Sequence, residues 1–172
     1  PLDALEALRK RHPFEADQVQ QVIVRIAASA SKVVNNREMP DVCLQHMIAV
    51  MLVDRTATFR AAHDEARMKD PEILKQRAKV QLIADAELEK VMPRREAIVE
   101  VTLAGGTKFT EHITAVRGTP ANPMTRDEVA AKARDLMAPV LGAATTAALI
   151  KKIFALENVK NILELRPLLQ RS

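Results

Sequence analysis

Residues 35–46 bring together the side chains best suited to chemistry in this chain: Asn35, Asn36, Arg37, Asp41, Gln45 and His46. The polar Asn-Asn-Arg-Glu run passes through Pro40-Asp41 into an apolar helical stretch, so these groups are expected at a junction between an extended segment and a helix. A loop entering a helix N-terminus offers unpaired backbone N–H groups and a positive dipole end, which suits an anionic ligand. The same residue types also serve as turn and cap residues, and that plainer use stands beside ligand binding. His46 follows Gln45, one turn into the helix, and is weighed both as a proton-transfer group and as a half-buried structural histidine.

Elsewhere the chemistry is sparse. His12 ends a basic helix, His63 sits in Ala-Ala-His-Asp-Glu, and His112 alternates with Thr110 and Thr114 on one strand face, expected to point outward. No Cys-x-x-Cys, His-x-x-x-His or His-Glu-x-x-His spacing occurs, so no metal or cofactor is expected. Cys43 lies near a helix start but between Val42 and Leu44, and reads as a small buried filler rather than a nucleophile. Gly105-Gly106 marks a hairpin turn, since the phosphate-loop pattern of Gly-x-Gly-x-x-Gly or a following Lys-Ser/Thr is missing.

The elements that must position these groups follow from periodicity. Leu2, Leu5 and Leu8 with terminal Arg9, Lys10 and Arg11 predict a helix over 2–12. Alternation predicts strands at 19–27, around 80–84, and in two runs within 97–117 flanking Gly105-Gly106. Leu44, Met47, Ile48, Met51 and Leu52 form one face of a helix over 42–54, the natural cover for the sheet. Asp70-Pro71 starts a helix at about 71–79, and Thr125-Arg-Asp-Glu128 is a capping box for a helix stopped at Leu141-Gly142. Two further helices follow, the second ending at Arg166-Pro167. The class is therefore α+β: a two-layer α/β sandwich with an antiparallel hairpin over 1–120, then C-terminal helices over 121–172.

Composition restricts function. The 172 residues are 48% hydrophobic and 28% charged, which suits a folded globular chain. A net charge of +4 does not announce a nucleic-acid binder, because Lys/Arg and Asp/Glu are interleaved and Tyr and Trp are absent. No apolar run approaches the ~20 residues of a membrane helix. The single cysteine and the lack of a secretory signal point to a reducing, cytoplasmic setting.

A longer pattern adds to this reading. VNN at 34–36, DVCLQHMIAVMLVD at 41–54, FRAAHDEARMKDP at 59–71, IVEVTLAGGTKFT at 98–110 and VRGTPANPMTRDEVAAKARDL at 116–136 resemble, in that order, the MmgE/PrpD family. That family includes 2-methylcitrate dehydratases and cis-aconitate decarboxylases. The closing helices, through LIKKIFALENVKNILELRPLL, continue the resemblance. Members are longer, so it implies a C-terminal part: the smaller lid-like α+β domain and helices that rejoin a missing N-terminal helical domain. It implies a lyase or isomerase acting on a small polycarboxylate, a homodimer, and main catalytic residues outside this chain. The lid side of the pocket would come from Asn35, Arg37, Gln45 and His46, and the fragment alone would be inactive.

Three departures qualify the assignment. Val33 stands where decarboxylases carry a pocket tyrosine, Gln45-His46 stands for Gln-Tyr of the dehydratases, and Arg55 replaces a frequent glycine. A non-catalytic ligand-binding or interaction module that kept the lid fold is the alternative, and a basic nucleic-acid binder the third and weakest.

Overall fold

Four strands form one mixed sheet in the computed structural model, which describes residues 1–170. They are β1 (Val19–Ala27), β2 (Val80–Asp85), β3 (Ala97–Leu103) and β4 (Lys108–Ile113), in the order β2-β1-β3-β4. β3 and β4 make the expected antiparallel hairpin, with Gly106 at φ +82 in the turn where a Cβ would be strained. β1 pairs antiparallel with β3 but parallel with β2. A parallel partner needs a long crossover, and the whole of 28–79 supplies it.

Alternation decides what each face carries. Val22, Val24 and Ile26 of β1 lie beside Val101, Val99 and Ala97 of β3, all buried. Helices α1 (Leu2–Arg11) and α3 (Leu44–Asp54) cover this face, inserting Leu5, Leu8, Ile48 and Leu52, none more than 1% exposed. Each such side chain is stabilised by about 1.5–3 kcal/mol through burial, so this layer supplies much of the core. The opposite face presents Arg25, Glu100 and Lys108, with Lys108 paired to Glu100 and Arg25 to Asp85. The antiparallel β1-β3-β4 part of the sheet tolerates this solvated face. The α+β class therefore holds.

Two features of the crossover differ from the sequence expectation. The residues before Asn35 form a helix, α2 (Ala28–Val34), rather than an extended segment. α3 begins at Leu44 instead of residue 42, and every residue from Gln45 to Leu52 is buried, because α3 lies between the sheet and α5 (Pro71–Arg77). A short helix α4 (Phe59–Ala62) separates α3 from α5, and α6 (Ala86–Lys90) follows β2. Asp85 caps α6 by accepting the N–H groups of Glu87 and Leu88.

By its internal contacts the chain divides into two compact units, Pro1–Asn122 and Pro123–Ser172. The second holds α7 (Arg126–Leu141), α8 (Ala143–Ile153) and a 3-10 segment, Ile162–Leu169, where a third α-helix was expected. Thr125 and Glu128 form the anticipated capping box, and Gly142 at φ +80 ends α7. Its small core includes Ala130, Leu149 and Leu165. No helix among the described residues is long and apolar enough to cross a membrane.

Candidate functional site

The polar loop after α2 is held from the inside by α3. Gln45 is 2% exposed, and its side-chain oxygen accepts the N–H of Asn36 at 2.9 Å while its amide nitrogen donates to Asn35 Oδ1 at 2.7 Å. Asn36 adopts φ +47, a left-handed conformation that Asn tolerates better than most residues, and its side-chain oxygen accepts from Arg77 at 3.3 Å. Arg37 folds back onto α2, donating from Nε to the Val33 carbonyl at 2.7 Å and from Nη2 to the Lys32 carbonyl. A cation on those terminal carbonyls completes the end of the helix.

His46 points elsewhere. It is fully buried, and neither ring nitrogen has a partner among the described residues. Burial, then the positive field of Arg77 and Arg67, holds its pKa below the ordinary 6.5, with Asp64 opposing. The structure thus brings Asn35 and Gln45 into contact, sets Arg37 on the neighbouring helix end, and keeps His46 away from all three as hydrogen-bond partners.

The remaining histidines have local uses. His12 stacks on the Phe109 ring at 4.2 Å, and His63 Nδ1 lies 2.8 Å from the Phe59 carbonyl. Cys43 is buried at the start of α3. No group of three or more His, Cys, Asp or Glu among the described residues is placed to hold a metal ion.

A cavity of about 680 Å³ opens beside this loop, within the first unit. Ile26, Ala97 and Ile113 lie in one row across β1, β3 and β4 and form part of its wall. The first residues of α1, the α2 face carrying Ser29, Ala30, Val33 and Val34, and Leu44 at the start of α3 complete most of the remainder. The lining therefore takes Val34 from one side of the 35–43 loop and Leu44 from the other, while Asn35, Arg37, Gln45 and His46 lie outside it.

Two groups on the wall escaped the sequence reading. Glu96 is only 9% exposed, with one carboxylate oxygen 2.8 Å from His112 Nε2. Arg95, its neighbour, also lines the cavity. No local spacing could have flagged the Glu96–His112 pair, because the β3–β4 register alone brings the two together. Chemically, the cavity offers a mostly aliphatic surface with three charged side chains, Asp3, Arg95 and Glu96, in its lining.

Comparison with known proteins agrees with this architecture. No curated protein matches the chain. The family model for the MmgE/PrpD C-terminal domain, however, matches residues 1–156, which takes in the whole first unit, α7 and α8. By that match the chain belongs to the MmgE/PrpD family, whose C-terminal domain it carries.

Proposed function

We propose that this chain supplies the lid side of the active site of an MmgE/PrpD-type lyase or isomerase acting on a small polycarboxylate of the 2-methylcitrate or aconitate class. One observation carries the reading: Val33, at the position where decarboxylases of the family place a pocket tyrosine, lines the cavity together with Val34. In this reading the cavity is one wall of a site whose acid and base come from an N-terminal helical domain. Asn35, Gln45 and Arg37 act as positioning residues, holding the α2 end and the loop so that Val33, Val34 and Leu44 present their side chains to substrate. His46 packs α3 against α5.

The same reading assigns residues 1–120 as the lid and 121–172 as helices that rejoin the helical domain in a cytoplasmic homodimer. Large apolar side chains left exposed in the second unit, among them Ile162, Leu163 and Leu169 at more than 60%, support such a covering partner.

The test is a titration of the purified chain with cis-aconitate, followed by methyl NMR and by a hydration assay. Shifts centred on Val33, Val34 and Leu44 without turnover are expected. Shifts confined to other parts of the chain would remove the site from this cavity. Turnover by the chain alone would show that it already contains an acid and a base.

A further inference from the structure

The polar groups on the cavity wall are almost all committed. Asp3 Oδ2 accepts the N–H of Arg117 at 3.1 Å. Ser29 donates both its N–H and its hydroxyl to Glu89. Glu96 has one oxygen on His112 and the other 3.4 Å from Arg94 Nε. Arg95 differs: its guanidinium makes no ion pair or hydrogen bond among the described residues. The rest of the wall is aliphatic, apart from Met92.

One open guanidinium on an otherwise saturated apolar wall discriminates among anions. A single carboxylate can take Arg95 in a forked pair. A second carboxylate pressed against the same wall would meet Asp3 and Glu96 and find no donor. A hydrocarbon arm gains from the surface it removes from water. The volume of about 680 Å³ far exceeds what a methyl group needs and falls within the roughly 300–1,000 Å³ of ligand pockets.

We infer that the cavity holds an aliphatic arm of the substrate, longer than methyl, with one adjoining carboxylate on Arg95. This rests on the polycarboxylate reading above and narrows it to alkyl-substituted polycarboxylates. The other carboxylates then face away from this wall.

The test uses methyl-, butyl- and hexylsuccinate, with cis-aconitate as the unsubstituted probe, read by calorimetry and by methyl NMR of the chain. Affinity should rise about fourfold per added methylene until the cavity fills, following the transfer free energy of a buried methylene. Arg95→Gln, at an exposed position, should weaken every member tenfold or more with the fold unchanged. Ala30→Leu, which fills part of the cavity, should weaken hexylsuccinate more than methylsuccinate. Affinity independent of chain length, with cis-aconitate still shifting Val33 and Val34, would overturn this inference and leave the site reading standing. No shift with any ligand would take down both. Unchanged binding by Arg95→Gln would overturn the carboxylate anchor.

Discussion

Gln45 and Asn35 face each other across the 36–44 loop, joined by a 2.7 Å hydrogen bond from the buried Gln45 amide to the exposed Asn35 side chain. The same Gln45 side chain accepts the backbone N–H of Asn36, so one buried residue fixes both ends of a tight, left-handed corner. Carboxamides that read as ligand donors in the sequence are here donors and acceptors to one another. That arrangement sets where α2 stops and where α3 starts, and hence the shape of the cavity wall between Val34 and Leu44.

Replacing Gln45 by Leu keeps the volume but leaves the Asn36 N–H and the Asn35 amide without their partner. A loss of about 1–3 kcal/mol is expected, the range for stranding partly buried polar groups. Urea denaturation measures the cost. Hydrogen exchange should show faster opening at Asn36 than at β1. An unchanged midpoint would mean that the loop holds itself without Gln45.

Arg55 occupies the residue after α3 at φ +61, where a side chain crowds its own backbone and glycine does not. The glycine that the family resemblance implies at this position would carry no such strain. Its salt bridge to Glu15 at 2.6 Å is largely solvated, with both side chains more than 60% exposed, and compensates little. Arg55→Gly is therefore expected to stabilise the chain by about 0.5–1 kcal/mol, what is left of a left-handed cost of roughly 1–2 kcal/mol after the added chain entropy of glycine. Thermal unfolding decides it: a lower midpoint would show that the Glu15 pair outweighs the backbone strain.

His46 gives the fold a pH dependence of known sign. Its folded-state pKa is lowered, chiefly by burial, while the unfolded chain takes up the proton at the ordinary value of 6.5. Stability is therefore fully present above pH 6.5 and declines as the pH falls from there toward the lower folded-state value. The slope cannot exceed about 1.4 kcal/mol per pH unit for one proton. Comparing urea midpoints at pH 7 and pH 5 for the parent and His46→Leu checks this, since the leucine variant should lose less on acidification. Identical losses would place the acid sensitivity in another group.

Local rules were enough wherever a residue answers only to its neighbours in sequence. Thr125 and Glu128 stand one helical turn apart, so a capping box needs nothing but their spacing. Val22, Val24 and Ile26 alternate with polar or lesser-buried neighbours, and β1 appears at the predicted residues, 19–27. Asp70-Pro71 starts α5 for the same reason. The ordered motifs from 34 to 136 were also sufficient to identify the family, because chain order survives without coordinates.

Tertiary structure decided what depends on distant partners. The parallel pairing of Val22 with Val80 is set by how the 28–79 crossover packs, and alternation looks alike in parallel and antiparallel strands. The sequence alone could place Gln45 and His46 side by side on one helix, but not say that one turns to the loop and the other into the buried interior. Successive residues on a helix point about 100° apart, so only the surfaces packed around α3 determine what each one meets. The cavity has the same origin: Ile26, Ala97 and Ile113 share a wall because three strands align, a relationship no segment of the chain contains by itself.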